Sequence, residues 1–242
     1  MKIFQHTHKA IILTGVLLSQ GVSHGAIGDG LLNYWNLNDN ANDTAGGNPG
    51  ATGTSDDHGT INGTVTFVDS FSAGFGKAGS FPGGAGNNIT VPDPTGGTDD
   101  IDRTGADITI SIWFQAADWN TGWQAILAHG EGQDYRIARS GTANPTKFAA
   151  VVGTTDMQTV TTYGAPPAGD GLWHHLVATG INGGIGSLYV NGLLESTSTG
   201  LADPTVSIAP SGGNNNLLCI GCNPDNGREF NGLIDDIAMW DR

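Results

Sequence analysis

Glutamate is almost missing from this chain: of 23 acidic residues only Glu131, Glu195 and Glu229 are Glu. Lys and Arg together number 9, and charged residues make up 13% of the 242 positions. Long helices are not built from so few strong helix formers. The shortage of Lys and Arg also removes the basic surface that phosphates require. A net charge of −14 repels nucleic acid and anionic lipid, so neither is an expected partner. Long apolar runs are scarce too, and Ala10–Leu18 is too short to cross a bilayer. With only Cys219 and Cys222 the chain has neither a disulfide framework nor the second cysteine pair of a four-cysteine zinc site.

What the chain does have is 39 Gly, many Asn, Asp and Thr, and short alternating apolar segments between them. That is the code of many short strands joined by tight turns, and one all-β domain of this length is normal. The first residues follow a different pattern: Lys2 and Lys9 flank the short apolar run, and small residues lead to Ala26. This is the three-part pattern of a secretory leader, expected over residues 1–26, with one domain over 27–242. Its removal takes away Lys2 and Lys9 and no acid, so the basic residues fall from 9 to 7 against 23 acids and the charge becomes −16. The expected location is outside the cell or on its surface, without membrane insertion of the mature domain.

Period-2 patterning marks the strands. Ile108, Ile110 and Ile112 alternate with polar residues before Trp113-Phe114 breaks the pattern, as in a central strand buried on one face. In 172–179, Trp173, His175, Val177 and Thr179 share one face, and Leu172, His174, Leu176 and Ala178 the other. Leu188 and Val190 point one way ahead of Asn191-Gly192, which supplies the positive-φ pair of a tight hairpin. Cys219 and Cys222 sit where a strand enters a turn. Fully extended, their Cα atoms would be about 10 Å apart, too far for a disulfide. A bend at Gly221 brings them together, leaving a local disulfide or two thiols, of which the disulfide is the expectation. The strand pattern runs to Arg242, which leaves room for a following segment.

Several motifs occur in order. They are G-L-x-x-Y-W with an Asn/Asp-rich loop at 30–43, F-G-K-A-x-S-F at 75–81, I-T-I-S-x-W-F at 108–114, and W-x-x-I-L at 123–127. W-H-H-L at 173–176, L-Y-V-N-G at 188–192 and F-N-G-L-I-D-D-I at 230–237 complete the set. Over residues 30–242 this resembles the laminin G-like, concanavalin A-like jelly-roll domains of bacterial secreted proteins. The resemblance implies an antiparallel two-sheet β-sandwich. It also implies a range of roles: glycan-binding modules, adhesion domains and non-catalytic appendages of surface proteins.

Three readings of function follow. The first is a carbohydrate or extracellular-matrix binding module with a structural calcium. Asp39, Asn40, Asn42 and Asp43 supply hard oxygens suited to calcium, without the EF-hand spacing. Similar jelly rolls tie such a loop to the last strand, where Asp235-Asp236 offers carboxylates; by alternation only one faces a given ion, and the set Asp39, Asp43 and Asp236 is the expectation. Sugar sites need an aromatic face beside polar groups. Trp119, in the D-W-N-T-G-W turn, is the candidate platform, with Tyr135 and Arg136 as neighbours, while Trp35, Trp113, Trp173 and Trp240 read as core or strand-packing residues and Trp123 as core. The second reading is an adhesive or structural module that binds an extracellular protein. The third is a glycoside hydrolase of unrecognised type. Against it, the three Glu are isolated, no E-x-D-x-E-like strand exists, and Asp235-Asp236 lie on opposite faces of a regular strand and cannot pair.

Overall fold

The computed structural model describes residues 26–54, 56–92, 101, 107–129, 135–141, 148–152, 156–161, 163, 169–181, 184–199, 217–224 and 227–242. The expected leader, apart from Ala26, lies outside these residues, as do Glu131 and the acidic loop at Asp99, Asp100 and Asp102. The strands are β1 (Leu31–Trp35), β2 (Thr60–Ile61), β3 (Thr66–Asp69), β4 (Lys77–Pro82), β5 (Ile89–Pro92), β6 (Ile108–Ala116), β7 (Ala125–His129) and β8 (Tyr135–Arg139). They continue as β9 (Phe148–Val152), β10 (Asp156–Gln158), β11 (His174–Gly180), β12 (Ile185–Val190), β13 (Leu193–Thr199), β14 (Leu217–Ile220) and β15 (Asn231–Trp240).

All pairings are antiparallel. One sheet runs β13-β12-β11-β6-β15-β4-β3, with β1 also on β15; the other runs β10-β9-β8-β7-β14-β5-β2. This is the two-sheet sandwich the patterning implied. Alternation explains its core. On β6, Ile108, Ile110, Ile112 and Phe114 are fully buried, facing inward with Leu176 and Ala178 of β11. Leu127, Ile137, Leu218 and Ile220 of the second sheet join the same cluster. Each such side chain contributes about 1.5–3 kcal/mol by leaving water, which is what holds two sheets together without helices between them. The β12–β13 hairpin turns on Asn191 (φ 51°) and Gly192 (φ 79°), as the Asn-Gly pair required.

Two local irregularities shape the surface. At the first, Gly221 adopts φ 80°, the chain bends, and Cys219 and Cys222 form a disulfide with Cα atoms 5.4 Å apart. The second lies in β15. Its residues 231–234 pair with β4 and its residues 237–240 with β1, while β6 lines the opposite edge throughout. Between the two partners the register with β6 shifts, and Asp236 takes φ 44°. Ile234 and Ile237 are both buried in the core, so the extra residue of this bulge falls on the outer side. Asp235 is opposite Trp113 and Ala238 opposite Ser111, both outward positions of β6. Asp235 and Asp236 therefore share one face, which corrects the expectation of opposite faces.

Candidate functional site

The outer face of the larger sheet carries the site. Trp113 points outward from β6 and is half-buried, with His175 of β11 stacked on it at 4.7 Å between ring centroids. Phe71 lies 4.8 Å from Trp113 and 5.0 Å from Trp173, and Phe75 closes against Phe71 at 4.2 Å. Phe71 is 39% exposed, so the cluster is an aromatic surface and not a second core. Of the two readings the sequence left for Trp113 and Trp173, core or strand packing, the structure shows packing on the outer face. The alternation of β6 does not break at Trp113-Phe114, contrary to the expectation: Phe114 stays inside and residue 113 faces out.

On the other side of Trp113 is a groove of about 360 Å³. Leu31 and Ala238 form its floor, and the rings of Tyr34, Trp113 and Trp240 form its walls. Ser111, Asn48 and Asp236 supply polar groups. The β15 bulge aims these acids. Tyr34 donates its hydroxyl to Asp236 Oδ1 at 2.6 Å. Ser70 donates to Asp235 Oδ2 at 2.5 Å, and the Asp236 amide donates to Asp235 Oδ1 at 2.8 Å. Asp235 is fully buried, and burial pushes its carboxyl up to about 7; the Ser70 hydrogen bond opposes this and the neighbouring Asp236 charge adds to it. Burial also raises Asp236, against the pull of the Tyr34 hydrogen bond. Tyr34 is raised by burial and by its acidic partner, so it remains a hydroxyl donor. Burial lowers His175, whose Nε2 is 2.7 Å from Ser111 Oγ, and the ring is neutral near pH 7.

The residues singled out for calcium do not assemble. Asp39 is on the surface and ion-paired with Lys77 at 2.8 Å. Asp43 is buried and folded back on its own segment: Oδ1 accepts from the amides of Tyr34 (2.8 Å) and Ala45 (2.9 Å), and Oδ2 accepts from Asn33 Nδ2 (3.4 Å). Asp236 gives its Oδ1 to Tyr34. Among the described residues no group of three His, Cys, Asp or Glu can hold a metal ion. The donor set Asp39, Asp43 and Asp236 does not fit one calcium.

The expected sugar platform is also corrected. Trp119 is 2% exposed and packs edge-on to Phe114 (6.4 Å) and tilted against Phe230 (5.7 Å), so its face is unavailable to a ligand. Tyr135 is fully buried and donates its hydroxyl to the Ile101 carbonyl at 3.0 Å. Arg136 points to the other side of β8, buried, with its guanidinium 4.6 Å from the ring of Trp123. Trp123, read as core, is the more exposed tryptophan of that turn and takes φ 59°. The turn itself borders a polar pocket of about 260 Å³ containing Asp118, Gln124, Glu229 and Asn231, with no aromatic wall.

The comparisons with known proteins agree with the architecture. The binding domain of Paraclostridial mosquitocidal protein 1 superposes with a TM-score of 0.65 at 16% identity, covering 89% of this chain and 49% of that one. Domain 4 of AbnA, a GH43 extracellular arabinanase from Geobacillus stearothermophilus solved in complex with arabinotriose, gives 0.58 at 20% identity, covering 87% and 92%. The binding domain of botulinum neurotoxin DC in complex with SialylT gives 0.59 at 14% identity, covering 90% and 49%. The chain thus spans about half the length of the toxin domains and nearly all of the arabinanase domain. No curated protein sequence matches it. A family profile does match, across residues 83–242, and with the two antiparallel sheets it establishes that this chain belongs to the concanavalin A-like lectin/glucanases superfamily, in its laminin G-like branch.

Proposed function

We propose that this chain is a secreted or cell-surface, non-catalytic carbohydrate-binding module whose ligand lies across the outer face of the larger sheet. One observation carries the reading: Trp113 joins an exposed aromatic surface (Phe71, Phe75 and Trp173) to a groove walled by Tyr34 and Trp240 and edged by Asp236, Ser111 and Asn48. Rings that stack on the CH faces of a sugar, beside groups that bond its hydroxyls, are what glycan recognition requires. The arabinotriose and SialylT complexes of two similar structures support a glycan over a protein ligand. The non-catalytic reading rests on burial. The bulge places Asp235 and Asp236 on one face, but Asp235 is fully buried, and Glu195 is bound by the amides of Val160 and Thr161 and the hydroxyl of Tyr163.

Calcium enters this proposal in reduced form. Asp39 is paired with Lys77 and Asp43 holds two backbone amides, so Asp236 has no second carboxylate to share an ion with, and we expect calcium to leave the melting temperature unchanged. The binding reading is tested on a glycan array with the purified protein and Trp113→Ala. The expected result is binding to at least one glycan class that the variant loses, while its circular dichroism is unaltered. Retention of binding by Trp113→Ala would remove the groove from the reading, and a protein ligand with no glycan bound would replace the reading altogether.

A further inference from the structure

The groove on the larger sheet has a charge character that bears on which glycan it takes, and the inference drawn from it rests on the glycan reading above. We propose that the groove recognises a glycan through a free ammonium group, as in a de-N-acetylated amino sugar, in preference to neutral, N-acetylated or acidic sugars. Three aromatic walls, Tyr34, Trp113 and Trp240, surround a site edged by the Asp236 carboxylate. Aromatic faces beside a carboxylate attract a cation, through the ring quadrupole and through charge-assisted hydrogen bonds.

Asp236 has an oxygen to offer. Its Oδ1 takes the Tyr34 hydroxyl, and its Oδ2 makes no hydrogen bond among the described residues. The bulge sets Asp235 beside it on the same face, buried and bonded to Ser70, so Asp236 is the carboxylate that reaches the groove. No Lys or Arg lines the groove. His175, which stacks on Trp113, is held neutral by burial. An acidic sugar would meet the Asp236 carboxylate here with no Lys or Arg beside it. An amine would supply the missing cation.

The test is isothermal titration of the whole chain at about 0.15 M salt, where long-range attraction to the acidic surface is screened. The probes are β-1,4-linked glucosamine oligomers, their fully N-acetylated counterparts of equal length, an oligouronate, and oligolysine of matched charge. The expected order is glucosamine oligomer tightest, at least about tenfold over the acetylated form as one charge-assisted hydrogen bond warrants, with the uronate weakest. Asp236→Asn keeps an acceptor for Tyr34 and tolerates the left-handed backbone at this position. It should abolish the preference for the amine, so that glucosamine and acetylated oligomers bind this variant with equal affinity. Equal affinity for amine and acetyl forms, or a preference that survives Asp236→Asn, overturns the inference and leaves the glycan reading standing. Equal binding of oligolysine overturns it in favour of bulk charge. If no oligomer binds and the glycan array is also blank, the underlying reading fails with it.

Discussion

Replacing Asp235 with Asn should stabilise this protein above neutral pH. Asp235 is fully buried, and its carboxyl is raised from an ordinary value of 3.8 to about 7. A raised carboxyl favours folding while it is protonated, and the advantage is lost as pH climbs through the folded value. In the wild type the folded state therefore carries a growing penalty from about pH 4 upward, which levels off above about pH 7. A shift of this size corresponds to about 4 kcal/mol once the group is fully ionised, and about half of that near pH 5.5. Asn removes the titration and keeps the contacts: its Oδ1 accepts the Asp236 amide, and its Nδ2 donates to Ser70 Oγ, which now acts as acceptor. Urea unfolding of both proteins at pH 4, 5.5 and 8 reads the difference. The expected result is similar stability at pH 4 and a gap of a few kcal/mol in favour of Asp235→Asn at pH 8. Parallel profiles across this range, or a less stable variant at pH 8, would refute the assignment of Asp235 as a buried, uncompensated acid.

Other consequences are accessible to simpler measurements. Asp43→Ala leaves the amides of Tyr34 and Ala45 without their acceptor and should cost about 3 kcal/mol. That loss should be the same in EDTA and in calcium, and a calcium-dependent rise in melting temperature abolished by this variant or by Asp236→Ala would contradict the site geometry. Tyr34→Phe removes the hydroxyl that serves ionised Asp236, so it should destabilise by about 1–3 kcal/mol at pH 8 and by less at pH 4, measured by the same urea series. The double variant Cys219→Ala with Cys222→Ala opens a loop with a sequence separation of only 3. For so short a loop the chain-entropy contribution is about 2 kcal/mol, so the domain should stay folded and melt a few degrees lower.

Much of the architecture was legible from residue order alone. The inward set Ile108, Ile110, Ile112 and Phe114, the faces of β11 and the Asn191-Gly192 hairpin all follow from period-2 alternation and turn chemistry, because those depend on neighbours in sequence. The Cys219–Cys222 bridge followed from the same local logic once Gly221 bent the chain. The site did not follow. Alternation breaks at the β15 bulge, where one residue is added so that a single strand can change partners from β4 to β1. Nothing in I-D-D-I announces that exchange, yet it decides that both acids share the outer face and that Asp236 lines the groove. The tryptophans show the same division. Trp119 and Trp123 lie four positions apart in one turn, and their fates were set by the strands and segments packed on them: Phe114 and the distant Phe230 enclose the first, while Arg136 lies over the second. Local composition specified that this chain would be a sandwich of short strands. Which of its aromatic and acidic side chains meet solvent was decided by which strands became neighbours, a matter of packing between segments up to two hundred residues apart, as the Tyr34–Asp236 hydrogen bond records.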